Sequence, residues 1–581
     1  MKTLRTNRSS RAILAAVSVS AMVASSLLAA VPAPAATGCA SPPPTLPVAS
    51  IHAGMTGVGH TVLRGETIEP FNVEILGVLP DAIYLGIDVI VAEITGPAAF
   101  VEETGGAVAG MSGSPVYVNG KLAGAVAWAI AEDRHIFGLT AAEDMVGMFG
   151  LADVSSGSMP TRIPLPREVI ETARAEGSML TDSAALETLP IPLGVSSLGG
   201  RSLAQIEGLF AEHGMRVSAY RTGSAAVPVP SEIDPTPFAP GGGLGAALSY
   251  GDVSWYGFGT TTAVCGDIAI GFGHPMFWGI GEVSLGMADV DVLAIDNGNF
   301  WGTKIGTIGA THGVLTQDRF SGIAGVFGQT PTLIPITSDV SSPDTGLSRQ
   351  GRTDVAWDED WFVADAAYSH GWSNFTYVQQ ADEPGSLSFE FTIEGTREDG
   401  SPFTVSNRWF EANDYGAAGG VWRLADFLYA LTYNGYEPID FTAVDLSGTI
   451  TAEDLRSEIA RIRVSSPLQP KLAPRSIVKA EPGDRIKVEV TLARLDDGAS
   501  TVATFTMKVP RGAAGSEQVK LSGGRGRLNF RHVDSLDQLI ATLNGGDHPN
   551  DLVVKGFGRT LLLPQDVAVQ GKGAFTVRIV R

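Results

Sequence analysis

Residues 105–118 read Gly105-Gly-Ala-Val-Ala-Gly-Met-Ser-Gly-Ser-Pro-Val-Tyr-Val118, with Asn119-Gly120 and an apolar run from Leu122 to Trp128 directly after them. Asn-Gly between two apolar runs is a strong hairpin signal, because a tight two-residue turn needs positive φ and these residue types tolerate it. Upstream, Gly110 and Gly113 allow a sharp turn that pushes a serine outward and leaves backbone N–H groups free. Working outward, further short β-type runs appear at Phe71–Val78 and Ile87–Val91. Ser386–Ile393 alternates cleanly at period two, and Arg485–Leu492 and Val502–Met507 also read as strands. Helices are few: Ala141–Met148, Pro166–Ala175, Leu203–His213 and a helix or lid at Asp534–Leu543. The fold class expected is mainly β.

Composition agrees. The chain has 70 glycines in 581 residues, well above the roughly 7% of ordinary usage, and no G-x-y period accompanies them, so collagen is excluded. Hydrophobic residues at 44% against charged residues at 18% fit packed cores rather than a disordered polyacid. The formal charge is −22. Nucleic acid and anionic membrane surfaces are therefore not expected partners, since nothing evident supplies the basic face that phosphate binding needs.

Residues 1–36 have the three-part layout of a secretory signal peptide. Lys2, Arg5, Arg8 and Arg11 precede the small apolar run 12–31, and Ala33-Pro-Ala35 offers an A-x-A cleavage pattern. Removing the four basic residues takes the charge from −22 to −26. No later run is apolar for long enough to span a bilayer, so the expected location is outside the cytoplasm: secreted, extracellular or cell-envelope. Residues 37–49 form a Pro-rich linker. The rest divides into a large unit over 50–345, a β-rich unit over 346–460 and a sandwich-like C-terminal unit over 461–581. Export permits a disulfide between Cys39 and Cys265, and lipid attachment to Cys39 is the alternative. Neither C-x-x-C nor H-E-x-x-H occurs, and nothing calls for a metal or organic cofactor.

A turn serine needs a base to become a nucleophile. Among nine histidines, two sit in Gly-x-Gly-His frames: His274 in Gly271-Phe-Gly-His274 and His60 in Gly57-Val-Gly-His60. His52, His312 and His370 lack such a frame, and the others lie among polar neighbours. Asp88, between Ile87 and Val89, is costly to bury unpaired, which makes it a candidate partner. Asp318 is read as paired with Arg319.

The segment Gly105–Val126 resembles the SpoIVB-type serine peptidase family, through Gly110-Met-Ser-Gly-Ser-Pro115 and Asn119-Gly-Lys-Leu-Ala-Gly-Ala-Val126. So do Ala53–Gly59 and Phe71–Val78. Gly271-Phe-Gly-His-Pro275, Ile305-Gly-Thr307 and Thr316-Gln-Asp-Arg319 look like later elements of the same group. The resemblance covers about residues 50–335. It implies a trypsin-like β-barrel peptidase domain, followed here by sandwich-like β domains. Carried over, Ser112 is the nucleophile, the N–H groups of Gly110 and Ser112 form the oxyanion hole, and His274 is the general base, with Asp88 the third member. In the family's sporulation peptidase the histidine precedes the serine, whereas His274 follows Ser112. His60 as alternative base, with Asp88 between, restores the family order.

Two functions follow. One is a secreted serine endopeptidase acting on a protein or peptide, itself included. The other is a non-catalytic envelope protein that keeps the barrel as a binding scaffold.

Overall fold

The computed structural model describes residues 39–581 apart from 85, 151–159, 161, 176, 278–280, 299, 414, 532 and 581. The expected signal peptide lies outside the described residues. Strands account for 50% of the structure and helices for 16%, so the molecule is mainly β.

Six strands close the first barrel. Their order is Thr56–Arg64, Thr67–Tyr84, Ile87–Gly96, Ile136–Ala141, Lys121–Ala129 and Pro115–Val118, and the last pairs back onto the first. The Asn119-Gly120 turn joins two of them, with Asn119 at φ 52° and Gly120 at φ 73°. Inward residues such as Phe71, Ile90, Val116, Val126 and Phe137 fill this barrel. Closure removes the exposed edges that an open sheet of this length would present.

A second ring closes in the same way. Trp255–Cys265, Gly243–Ala247, Gly281–Asp296, Thr303–Arg319, Gly322–Phe327 and Ile268–Gly271 follow one another, and Ile268–Gly271 pairs again with Trp255–Cys265. The barrels are stitched together by backbone. The Ala109 N–H donates to Gly302 (3.0 Å), the Lys304 N–H donates to Ala109 (3.0 Å), and Gly65 and Val292 exchange bonds of 2.7 and 3.0 Å. Cys39 and Cys265 form a disulfide across 226 residues, which leaves no Cys39 thiol for a lipid.

Beyond the barrels lies a sheet in the order Ser249–Gly251, Ser348–Val355, Ile334–Ser341, Ile439–Thr451, Gly385–Arg397, Pro402–Asn413. The boundary expected at 345/346 falls inside a hairpin of this sheet, between Ile334–Ser341 and Ser348–Val355, which pair throughout. Three helices have no counterpart in the sequence expectations: Asp360–Gln379, Trp422–Thr432 and the short Ala98–Thr104. The first is buried on nearly every side, from Trp361 through Val378. It has no polar stripe, so its sequence lacks the contrast that marks an amphipathic helix.

The last unit is a sandwich. Val464, Val488, Leu521, Phe575 and Val577 pack between its two sheets. Helix Leu536–Leu543 belongs instead to the neighbouring core, its Leu536, Leu539 and Leu543 packing there, with Ser535 capping it by accepting the Gln538 N–H. Charge is unevenly divided. Residues 461–581 hold 19 of the 40 Lys and Arg but only 11 of the 62 acids, a formal +8 against −30 for the remainder. The expectation of an acidic chain throughout is therefore corrected: averaging over the chain concealed a basic C-terminal unit.

Candidate active site

The serine turn lies between the barrels. Gly110 and Gly113 both adopt left-handed backbone, at φ 93° and 94°. At Gly113 a Cβ would stand 2.0 Å from the Thr260 carbonyl oxygen and 2.4 Å from the Phe272 nitrogen, so no side chain fits. Strand Trp255–Cys265 of the second barrel holds the turn from behind. Thr260 N–H donates to the Ser112 carbonyl (2.7 Å), Thr260 Oγ1 to that of Gly110 (3.0 Å), and Thr262 Oγ1 to that of Gly113 (2.7 Å). The N–H groups of Met111, Gly113 and Ser114 are spent on Val108, Val126 and Met111 carbonyls. Among the described residues no partner is found for the N–H groups of Gly110 and Ser112.

His274 arrives from the other barrel, just after strand Ile268–Gly271. Phe272 at φ 64° and Gly273 at φ 68° make two consecutive left-handed residues before it, and such a conformation at a buried phenylalanine costs of order 1–3 kcal/mol. Thr140 Oγ1 of the first barrel donates to the Gly273 carbonyl (2.5 Å), fixing the approach. The His274 Nε2 then lies 2.8 Å from Ser112 Oγ, across 162 residues of sequence.

The other ring nitrogen settles the tautomer. Nδ1 is 2.8 Å from the Pro275 carbonyl, which only accepts, so Nδ1 carries the hydrogen and Nε2 presents its lone pair to the serine hydroxyl. Both side chains are closed in, Ser112 3% and His274 1% exposed. Burial pushes the imidazole down to about 4; the Pro275 bond works against that, and the Arg216 charge adds slightly to it.

Two of the residues read from sequence stand elsewhere. Asp88 is not the partner of His274: its Oδ1 accepts the Asp81 N–H at 2.8 Å, a turn contact next to its own strand. His60 is not beside Ser112 either. Its neighbour Thr61 points into the buried site, so strand alternation sends the His60 ring to the other side, where it meets Tyr117 edge-on at 5.7 Å. His370 is a satisfied core residue between Thr353 and Ser338, at 2.9 Å from each.

One group was assigned a different role from sequence and two went unread. Asp318, fully buried, accepts the N–H groups of Met276 (3.0 Å) and Phe277 (2.7 Å). It thereby holds the loop after His274 rather than simply pairing with Arg319. Burial pushes its carboxyl up to about 7, against the downward pull of those N–H donors and of Arg319. Lys304 is also buried, and its stem lies against Gly110. Its Nζ donates to Thr61 Oγ1 (2.7 Å), while the Ser114 hydroxyl lies 2.9 Å from Thr61 Oγ1 and 3.3 Å from Thr260 Oγ1. A lone lysine amid Gly302-Thr-Lys-Ile-Gly-Thr307 was the signal for it. The other unread group is the Pro275 carbonyl, and a main-chain acceptor leaves no trace in residue types.

Two closed barrels thus bring a turn serine and a histidine together, with the serine on the earlier barrel. Residues 43–146 match the SpoIVB peptidase S55 family, and with that match this segment of the chain is assigned to the family. The match includes Ser112 and ends before His274. The family matched by this segment is one of peptidases, which act on protein. No curated protein and no solved structure matches the chain.

Proposed function

We propose that the protein is a secreted serine endopeptidase in which Ser112 attacks the scissile carbonyl and His274 is the general base. The observation that carries this reading is the 2.8 Å contact between Ser112 Oγ and an Nε2 whose lone pair faces it. As Oγ bonds to the carbonyl carbon, its proton passes to Nε2, and the imidazolium returns it to the leaving amine. The free N–H groups of Gly110 and Ser112 are the donors for the oxyanion, in preorganised positions where such a pair is worth several kcal/mol. The Pro275 carbonyl orients the ring as a carboxylate does in a triad, without a full charge to stabilise the imidazolium. Substrates are proteins or peptides, the chain itself among the candidates. The disulfide favours an oxidising compartment.

The burial of Ser112 and His274 favours a second reading, a non-catalytic scaffold that keeps the barrels for binding. A fluorophosphonate serine probe distinguishes the two. The peptidase reading expects covalent labelling that disappears in Ser112→Ala and falls strongly in His274→Ala. Labelling absent from the folded protein, or unchanged in Ser112→Ala, selects the scaffold.

A further inference from the structure

We propose that the outer face of the C-terminal sheet Ile477–Ala480, Lys572–Ile579, Ser516–Gly523, Asp551–Gly556, Arg559–Pro564 is a docking surface for an anionic lipid bilayer. The inner side of this sheet packs Val478, Val519, Leu521, Val554, Phe575 and Val577 into the sandwich core. Alternation therefore turns Lys479, Lys520, Lys555, Lys572 and Arg578 outward, and all five are exposed.

The register stacks these cations against one another. Lys520 stands directly opposite Lys555, and Lys479 directly opposite Arg578. Like charges in facing positions destabilise a sheet, and among the described residues none of the five has an ion-pair partner. A depression of about 720 Å³ is lined by Lys520, Lys555, Lys572 and Arg525, with Val553 among its other lining residues and the Asp547 carboxylate also lining it. The depression therefore gathers four cationic side chains against one carboxylate.

The rest of the face selects a bilayer over a soluble polyanion. No aromatic side chain projects from it to stack on bases. Instead Leu562, opposite Val553, is 40% exposed, and Ile477, opposite Thr576, is 42% exposed. Apolar side chains set among lysines suit the boundary between headgroups and acyl chains. Outside this unit the chain carries −30, so an anionic surface attracts the sandwich and repels the remainder, orienting the barrels away from the lipid.

Flotation of the full chain with vesicles of mixed phosphatidylglycerol and phosphatidylcholine, against pure phosphatidylcholine, tests the assignment. The comparison uses Lys520→Gln/Lys555→Gln/Lys572→Gln on this face and Lys487→Gln/Lys508→Gln on the other sheet. Salt-sensitive binding to the anionic vesicles is expected, weakened about a hundredfold in the triple variant, at about fivefold per charge, and little changed in the double variant. Apolar segment 12–31 is common to all three proteins and cancels. Absence of salt-sensitive binding, equal losses in both variants, or a triple variant that loses soluble polyphosphate but keeps vesicles overturns the proposal. Thermal melts verify folding, and should the triple variant not fold, each single Lys→Gln change is expected to show its own fivefold loss, with no loss in any of them counting against the surface.

Discussion

The carbonyl of Pro275 accepts the Nδ1–H of His274 at 2.8 Å, so the residue next to the histidine in sequence occupies the place where a triad would set a carboxylate. A neutral acceptor fixes the ring and its tautomer but does little to raise its basicity. Burial then dominates and holds the imidazole down at about 4. Ser112 reactivity requires neutral His274, so fluorophosphonate labelling should rise as pH increases through about 4 and be level by pH 6.5, the ordinary histidine value. An inflection at or above 6.5 would show a carboxylate partner acting on the ring.

Asp88 bonds to the Asp81 N–H and leaves His274 to Pro275. Asp88→Asn is therefore expected to keep the labelling rate within about twofold, whereas His274→Ala should lower it about 10²–10⁴-fold. Labelling rates of the two variants at one pH check this. A comparable loss in both would restore Asp88 to the chemistry.

Asp318 holds the Met276 and Phe277 N–H groups and so sets the loop that carries His274. Asp318→Ala strands two buried donors, at about 1–3 kcal/mol each. The expected result is a marked loss of stability in denaturant unfolding, together with slower labelling of whatever remains folded. Asp318→Asn should fall between, since its amide keeps one acceptor oxygen. Unchanged labelling in folded Asp318→Ala would mean that the His274 loop holds its shape without the carboxylate.

Much of this architecture was legible. The Gly110–Pro115 turn, the Asn119-Gly120 hairpin and the Gly-Phe-Gly-His274 frame are local features, and each depends on residue types that a sharp turn demands. The buried helix Asp360–Gln379 was not legible, because a segment covered on nearly every side has little periodic contrast. Nor was the partner of His274. A triad calls for an aspartate side chain where this fold uses a main-chain oxygen. Asp88 fitted the expected residue type and order, but the bond its carboxylate makes depends on the turn at Asp81, which only the folded strands define.

Lys304 offers a test in which pH gives the sign. Burial lowers its ammonium from 10.5 to about 7, while the unfolded chain keeps the ordinary value. Between those two pH values the unfolded state binds more protons than the folded one, so this group makes stability rise with pH from about 7 toward 10.5. The contribution is complete above the unfolded value and is lost as pH falls through the folded one. Lys304→Met keeps a stem to pack on Gly110 and removes the titration along with the Nζ–Thr61 bond. The melting temperature of the parent, relative to the variant, should therefore climb between pH 7 and pH 9, with the variant the more stable of the two at the acid end. The other titrating groups are common to both proteins and drop out of the difference. A flat difference across that interval would place the Lys304 ammonium in contact with solvent, and the support it lends to the serine turn would then be that of its apolar stem alone.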